Sequence, residues 1–423
     1  MRTKSTADES SPGPVELPKH AVLNSVFGIE VGLLTGCQDR HYAFGLAMAL
    51  ASRGVFLDII GSDEIDSTAL RTAPNLRFFN LRGVQSYHAN LVQKLWQLLV
   101  YYAKLIRYVA RSRAKILHIL WNYKLELFDR TILMLYYKVS GKKIVFTAHN
   151  VNQARRDSKD SWLNRTTLKI QYRFCDHIFV HTQKMKQELC EEFGVAEEAI
   201  TVIRYPLNNA LPDTELTTAD AKRLLGLSED EKAILCLGRI VPYKGIETLL
   251  EAVRLLSTDN KGKYRLIVAG EPKKGAEKYL REIERSVERG FGQGQVILRT
   301  QLIPDDEMEV YLKGADVMVL PYKDIFQSGV LFLAYSFGLP VVATDVGSFR
   351  EDIVEGRTGF LCKTGDPPEM AKAVERYFSS DLYKNLKIRR PELKDYAKAN
   401  HSWQTVAELT RNAYVKISKG YLS

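Results

Sequence analysis

Short apolar runs alternate with helical hydrophobic patterns along most of the chain. In the first half, apolar runs of strand length occupy residues 27–34, 55–60, 76–79, 116–120, 144–147, 177–181 and 200–203. In the second half they occupy residues 233–237, 264–269, 296–298, 317–320 and 341–343, and helices are predicted over 42–53, 246–256, 275–288, 305–313 and 329–337. Continuous Val, Ile and Leu runs are typical of strands that are buried on both faces of a parallel sheet. The pattern therefore predicts an α/β protein.

A polar stretch divides the two series of strands. Residues 206–219 contain two prolines and few apolar side chains, so we interpret them as a linker. The expected domains are then residues 21–205 and residues 220–400, each a Rossmann-like unit of strands and crossover helices. Ligands of such sheets bind outside the carboxyl ends of the strands, so two facing domains would create a cleft that holds the chemistry.

The ends of the chain and its cysteines narrow the class of protein. Residues 1–20 are polar and rich in Ser and Pro, which predicts a disordered leader without the apolar core of a signal peptide. No apolar run approaches the ~18 residues that cross a bilayer. The five cysteines form no CxxC pair, which favours a reducing, cytoplasmic compartment and argues against a zinc site.

The formal net charge of +10 favours encounters with anions. Nucleotide diphosphates, nucleic acids and anionic lipid surfaces all qualify, and a solvated basic surface without a special partner is the alternative. Nucleic acid is the least favoured of these partners, because the basic residues are dispersed and no DNA- or RNA-binding module is recognisable.

The segment 237–245 follows an apolar run and precedes a predicted helix. Gly238 allows the chain to turn, and Arg239 and Lys244 then lie beside the start of that helix. A helix N-terminus has free N–H groups and a positive dipole end, and the two cations add charge, so the segment predicts a diphosphate site. An exposed basic turn is the alternative.

A second candidate phosphate loop lies between residues 324 and 333. Ser328 is expected to cap the following helix, and Gly329 allows a ligand to approach the backbone closely. The N–H groups of Ser328, Gly329 and Val330 would cradle a phosphate, with Gln327 beside them.

Three further residues follow predicted strands at the cleft edge. His149 is placed to bond a sugar or to stabilise charge, and a buried core histidine is the alternative. Gly36 allows close approach to a ligand, but it is a lone glycine, so the GxGxxG fingerprint of dinucleotide-binding oxidoreductases is absent. Glu271 is placed to meet a hydroxyl in the cleft, with a solvated carboxylate as the alternative.

Residues 90–115 combine a helical apolar stripe with six basic residues. A basic amphipathic helix is typical of peripheral contact with anionic membrane, here at the inner face. A sheet-covering helix with one solvated face is the alternative.

These motifs together resemble the family 4 (group 1) glycosyltransferases, which have the two-domain GT-B fold. The stretches that carry the resemblance are KKIVFTAHN, LGRIVPYKGIETLLEAV, LIVAGEP, ADVMVLPY, SGVLFLAYSFGLPVVATDVGS and REDIVEGRTGFL. The resemblance implies that Arg239 and Lys244 bind the donor diphosphate, that His149 lies near the transferred sugar and that Gly36 faces the donor. It also implies a C-terminal helix, within 401–423, that packs back on the first domain, and a reaction that is retaining and uses neither metal nor cofactor.

The expected function is transfer of a sugar from a nucleoside diphosphate sugar to a hydroxyl acceptor, a glycan or a lipid-linked intermediate, in polysaccharide or glycoconjugate biosynthesis. The chain departs from the family at Ile325 and Leu333, where relatives often carry two glutamates eight positions apart. A nucleotide-sugar epimerase and a non-catalytic GT-B partner in a glycan assembly complex are the alternatives.

Overall fold

The computed structural model describes residues 28–36, 39–83, 90–157, 159–207, 211–259 and 264–420. The predicted leader at residues 1–20 lies outside the described residues, as does Cys37.

Seven parallel strands of the described part form the first sheet. They are β1 (Glu30–Leu34), β2 (Phe56–Gly61), β3 (Leu76–Asn80), β4 (Ile116–Ile119), β5 (Lys143–Thr147), β6 (His177–Val180) and β7 (Ile200–Val202). Their order in the sheet is β3-β2-β1-β4-β5-β6-β7. The order reverses beside β1, where Val31 pairs with Leu57 on one side and Ile116 on the other. Ligands of open parallel sheets bind at such a reversal, outside the carboxyl ends of the strands.

The helices of the first domain cover both faces of this sheet. They are α1 (Arg40–Ser52), α2 (Thr68–Thr72), α3 (Leu91–Arg111), α4 (Glu126–Arg130), α5 (Ile132–Val139), α6 (Gln153–Arg156), α7 (Trp162–Phe174) and α8 (Gln183–Phe193). Side chains of α1 and α2 join one buried apolar cluster, and side chains of α3, α5, α7 and α8 join the other. The strands are therefore buried on both faces, as their continuous apolar runs predict.

Six parallel strands of the described part form the second sheet. They are β8 (Lys232–Leu237), β9 (Tyr264–Ala269), β10 (Val296–Arg299), β11 (Val317–Leu320), β12 (Val341–Thr344) and β13 (Gly359–Cys362), in the order β10-β9-β8-β11-β12-β13. The accompanying helices are α9 (Thr218–Leu224), α10 (Ile246–Asp259), α11 (Glu277–Gly290), α12 (Met308–Gly314), α13 (Gly329–Ser336), α14 (Phe349–Asp352), α15 (Pro367–Ser379), α16 (Asp381–Lys384) and α17 (Leu386–Asn400).

The predicted α/β architecture of two Rossmann-like sheets is confirmed, with corrections in detail. The pattern missed β13 and the helices α15 to α17, because their sequences are short or strongly charged. Helix α9 begins at Thr218, so the last two residues of the predicted linker are helical.

The last helix, α18 (Trp403–Lys419), lies on the first domain. Its residues Val406, Ala407 and Tyr414 are buried in the same apolar cluster as α1. The hydroxyl of Tyr414 lies 2.6 Å from Nδ1 of the buried His118 under the first sheet. The chain thus crosses between the two domains twice, once near Tyr205 and once before α18.

The two domains touch at several points around the cleft. Tyr205 stacks on Phe332 of α13 with ring centroids 5.4 Å apart. The guanidinium of Arg156 lies 4.5 Å from the ring centre of Tyr243. On another side, the carboxylate of Glu351 accepts from the first backbone N–H groups of α8, at 3.3 Å from Gln183 N and 3.5 Å from Lys184 N. A carboxylate at a helix N-terminus is favourable, so these contacts hold the lobes against each other.

Candidate functional site

Lys244 is buried beneath the turn that follows β8. Its ammonium donates to the carbonyl of Leu237 at 3.2 Å and lies 5.3 Å from the ring centre of Tyr322. Gly238 has a φ of 106°, and a Cβ added there would lie 2.5 Å from Nζ of Lys244 and 3.4 Å from a methyl of Val330. Glycine is therefore needed at 238, and it brings the lysine ammonium close to the start of α13.

Burial lowers the pKa of Lys244 below its ordinary value, although the neighbouring Tyr243 and Cys236 act in the opposite direction. A desolvated cation that is bonded to one neutral carbonyl lacks a negative charge to compensate its own. An anion bound beside it would restore the charged form, which is the behaviour expected of a phosphate-binding lysine.

Arg239 lies at the mouth of the same turn and is largely exposed. Its Nε is 3.8 Å from Oε1 of Glu271, and the backbone N–H of Ile240 donates to the carbonyl of Glu271 at 2.9 Å. Arg239 and Glu271 therefore form an exposed pair above Gly238, which leaves most of the guanidinium available to a ligand.

Ser328, Gly329 and Val330 form the start of α13. The prediction that the Ser328 side chain caps this helix is wrong, because its hydroxyl accepts no hydrogen bond from the first turn, although Ser328 stands at the N-cap position. The amides of Gly329 and Val330 belong to a first helical turn, whose N–H groups have no carbonyl partner within the helix. They are therefore suited to an anion.

Gln327 makes its side-chain hydrogen bond to a carboxylate of the same domain. Its Nε2 donates to Oδ2 of Asp352 at 3.1 Å, and its Oε1 is buried without a partner among the described residues. Burial raises the pKa of Asp352 to about 6, although the hydrogen bond from Gln327 opposes the rise. Gln327 is thus engaged within its own domain, through its amide nitrogen.

His149 lies on the opposite wall, after β5, and its hydrogen bonds fix its tautomer. Nδ1 of His181 donates to the carbonyl of Ile203 at 3.0 Å, so Nε2 of a neutral His181 accepts from Nδ1 of His149 at 2.9 Å. Nε2 of His149 is then an unprotonated acceptor, and it is buried with no partner among the described residues. Burial lowers the pKa of His149 well below its usual value and that of His181 to about 4.

Aromatic rings hold the His149 imidazole in place. It stacks on Trp121 at 4.2 Å with an interplanar angle of 5°, and it meets the edge of Tyr42 at 4.7 Å. Gly36 has a φ of +57°, and a Cβ added there would lie 2.5 Å from the Trp121 carbonyl oxygen. Gly36 therefore allows the turn after β1 to pack closely on Trp121, whose ring supports His149.

Tyr205 connects the two walls of the cleft. Its hydroxyl donates to Oδ2 of Asp39 at 2.9 Å and would lie 3.4 Å from a Cβ placed on Gly329. Its ring centre is 6.5 Å from that of His149. Sequence reasoning missed Tyr205, Trp121 and His181, and the only signal for them was their position at or just after the end of a strand pattern.

The two positions that depart from the family have different surroundings. Ile325 is buried, and its carbonyl packs against Gly347, where a Cβ would lie 2.0 Å from that oxygen. Leu333 lines a cavity of about 610 Å³ between the two domains. The other walls of this cavity are one face of α1, the linker at Tyr205 and the start of α18. Both side chains are apolar, so hydroxyl recognition would have to come from other groups.

Two further features of the described residues bear on alternative chemistry. No group of three or more His, Cys, Asp or Glu side chains within the described ranges is arranged to hold a metal ion. Among the helices that the structure describes, none is long and apolar enough to span a bilayer.

The candidate site has cationic groups on one wall and a neutral hydrogen-bond acceptor, His149, on the other. Lys244, Arg239 and the first turn of α13 can stabilise negative charge on a leaving diphosphate. Nε2 of His149 can accept a hydrogen bond from a hydroxyl, and its lone pair can face a centre that becomes positive.

Comparisons with known proteins bear on the family and the fold of the chain. The family model described as "Glycosyl transferases group 1" matches residues 231–380, and the one described as "Glycosyltransferase Family 4" matches residues 40–208. The D-inositol 3-phosphate glycosyltransferase of Corynebacterium diphtheriae is 28% identical over 282 residues, which are 64% of this chain and 64% of that protein. The match therefore spans a little under two thirds of that relative.

Solved structures resemble nearly the whole chain. Sucrose-phosphate synthase from Thermosynechococcus elongatus has a TM-score of 0.72 at 18% identity, and covers 92% of this chain and 99% of its own. The Anabaena HepE protein in complex with UDP has a TM-score of 0.70 at 15% identity, with coverage of 92% and 100%. With both domains matched in sequence and both lobes matched in fold, the chain belongs to the group 1 (family 4) glycosyltransferases and has the two-domain GT-B fold.

Proposed function

We propose that this protein transfers a sugar from a nucleoside diphosphate sugar to a hydroxyl acceptor in polysaccharide or glycoconjugate biosynthesis. The observation that carries the proposal is that the Lys244 ammonium and the start of α13 converge at Gly238. On the other side of Tyr205, Nε2 of His149 is buried with no partner among the described residues. Membership of a glycosyltransferase family supports it, and so do the HepE structures, which contain UDP or UDP-glucose.

In the proposed reaction the diphosphate leaves from the anomeric carbon of the donor sugar. Arg239, Lys244 and the amides of Gly329 and Val330 bind the diphosphate and stabilise the charge that develops on it. Glu271 holds the Arg239 side chain at the mouth of the turn. His149 accepts a hydrogen bond from a sugar hydroxyl, and Gly36 lets the first strand turn approach the donor.

We further propose that the anomeric configuration of the donor is retained and that no metal ion or cofactor takes part. The neutral His149 and the cationic wall supply acceptor and electrostatic roles without a metal. Four cysteines in the described part are free, which supports a cytoplasmic site of action.

The experiment begins with a thermal-shift panel of UDP-, GDP- and ADP-sugars, because a ligand that binds only the folded state raises its apparent stability. The stabilising donor is then incubated with a mixture of glycan and lipid-linked acceptors, with and without EDTA. We expect release of the nucleoside diphosphate, a new glycosidic product of retained configuration by NMR, and no effect of EDTA. A purified, folded protein that is stabilised by none of these donors and releases no nucleotide would contradict the proposal.

A further inference from the structure

The first half of α3 presents apolar side chains to solvent. Leu91, Leu95, Trp96 and Leu99 are 83%, 56%, 67% and 53% exposed. The second half of the helix behaves differently, since Tyr102, Leu105 and Val109 are buried against the sheet. Only the second half of α3 therefore buries its apolar side chains against the sheet. The N-terminal turns expose apolar residues that the sheet does not cover.

Neighbouring helices extend the same apolar surface. Ile132 and Val139 of α5 are 62% and 79% exposed, and Trp162 of α7 is 79% exposed. The Tyr136 hydroxyl on α5 donates to the carbonyl of Ile106 on α3 at 2.8 Å, and Arg130 at the end of α4 donates to Asn164 on α7 at 2.9 Å. These helices all cover one side of the first sheet, so their exposed residues belong to one face. We call it the α3–α5–α7 face.

Basic residues accompany this face. From residue 90 to residue 115 the chain carries six Lys or Arg residues and no Asp or Glu. Lys94, Lys104, Arg107 and Arg111 are exposed, and none forms an ion pair with another described residue. On α4, by contrast, Glu126 is paired with Arg130 at 2.9 Å. The face therefore combines exposed apolar anchors with cations that have no described ion-pair partner.

We propose that the α3–α5–α7 face binds the surface of an anionic lipid bilayer. Tryptophan and aliphatic side chains enter the boundary between headgroups and acyl chains, and lysine and arginine meet anionic headgroups. A protein partner is less well matched, because cores of protein interfaces are depleted of lysine. The proposal concerns lipid binding alone and does not depend on the proposed sugar transfer.

The face also adjoins the cleft. In a parallel α/β sheet each helix begins at the edge where the preceding strand ends, so the N-terminal turns of α3 and α7 lie at the carboxyl edge. That edge carries His149 and Trp121. Binding through this face would therefore place the opening of the candidate site beside the bilayer.

The test is co-sedimentation of the full chain with two kinds of vesicle. One contains phosphatidylcholine alone, and in the other about one third of the lipid is phosphatidylglycerol. We expect binding to the anionic vesicles only, weakened by salt. Brominated phosphatidylglycerol should quench tryptophan fluorescence, and this quenching should be lost in a Trp96→Phe/Trp162→Phe variant that still folds.

Matched variants separate the apolar and basic parts of the face. Leu95→Ser/Trp96→Ser and Lys104→Gln/Arg107→Gln should each weaken binding by about tenfold or more. The controls carry comparable apolar-to-Ser and cation-to-Gln changes on the other domain, Leu224→Ser/Ile388→Ser and Arg285→Gln/Arg289→Gln, at residues that are also exposed. They should bind as the unchanged protein does.

Three results would overturn the proposal. The first is no binding to anionic vesicles, and the second is binding that the α3 variants leave unchanged. The third is self-association, seen by sedimentation velocity as a dimer that Leu95→Ser/Trp96→Ser converts to a monomer, which would make the face a subunit interface.

Discussion

At the scale of single residues, the candidate site depends on the protonation state of one imidazole. The bond from His181 to the Ile203 carbonyl determines that His149 donates through Nδ1 and presents a bare Nε2. Burial keeps both rings neutral at neutral pH, because it lowers both pKa values. His149 is therefore an acceptor, and it is not a cation that would repel a positively charged sugar centre.

His149→Phe keeps a ring against Trp121 but removes the acceptor. We expect kcat to fall on the order of 10²-fold, as for loss of one preorganised polar contact, while affinity for the nucleoside diphosphate changes little. Steady-state kinetics and calorimetry measure the two quantities. His177→Phe is the control, since His177 begins β6 at the opposite, amino edge of the sheet and its imidazole hydrogen-bonds to Thr201. An equal loss of kcat in both variants would show a structural effect instead.

Asp352 provides a stability test that is independent of activity. Burial raises its pKa from 3.8 to about 6, so the folded protein holds this proton more tightly than the unfolded chain. The stability due to this group is present at low pH and is lost as pH rises from about 4 to 6. Asp352→Asn should therefore stabilise the protein by about 1–3 kcal/mol at pH 7.5 and by roughly half as much at pH 5.

Denaturant unfolding at the two pH values measures this difference. Asp306→Asn, at an exposed residue with no ion pair among the described residues, is the control for the same carboxylate-to-amide change elsewhere in this domain. A stabilisation by Asp352→Asn that does not change with pH would contradict the assignment.

Sequence reasoning located some site residues and missed others for a physical reason. Lys244, Gly329 and His149 each follow a predicted strand, so their place at the carboxyl edge follows from the periodicity of the chain. Tyr205 bonds to Asp39, which is 166 residues away, and no local pattern contains that contact. The failed cap at Ser328 has the same origin, because a local rule predicts a bond that the packed structure does not make.

At the scale of elements, the packing of α18 on α1 sets the position of the linker. A Cβ added to Gly45 in α1 would lie 2.2 Å from the ring of Trp403. The indole Nε1 of Trp403 donates to the carbonyl of Leu207 at 2.9 Å. The close approach of α1 and α18 therefore orders the chain where it leaves the first domain.

Gly45→Ala tests this contact. In an open helix the change stabilises by up to ~1 kcal/mol, because alanine has the higher helix propensity. Here the methyl would meet a bonded indole, and overpacking of this kind costs about 1–3 kcal/mol, so we expect net destabilisation. Gly290→Ala near the end of α11 is the matched control, since its nearest neighbour would be 3.8 Å away. Thermal unfolding distinguishes the two, and a stabilised Gly45→Ala variant would contradict this packing.

Element boundaries were predictable where apolar periodicity is strong. The strands Tyr264–Ala269 and Val317–Leu320 occur over the residues that the sequence pattern predicts. Helices α15 to α17 were not recognised, and α17 in particular is rich in charge and contains Pro391 within its length. Helix α17 packs against α13, which is distant in sequence, so the sequence of α17 alone does not predict which of its residues are buried.

At the scale of the whole molecule, the proposed function depends on two lobes that meet at the carboxyl edges of their sheets. The first lobe contributes His149 on its aromatic support, and the second contributes Lys244, Arg239 and the start of α13. Tyr205 lies between them and stacks on Phe332. The central claim is therefore that the second lobe binds a pyrophosphate through two cations and a helix end.

Isothermal titration calorimetry with UDP, GDP and ADP tests this claim most directly, on the unchanged protein and on Arg239→Ala/Lys244→Met, in which methionine keeps the buried volume. Arg285→Ala/Arg289→Ala is the control on exposed α11. We predict that one nucleoside diphosphate binds the unchanged and control proteins equally, and binds the site variant at least about 10²-fold more weakly. Equal affinity in all three folded proteins would contradict the account.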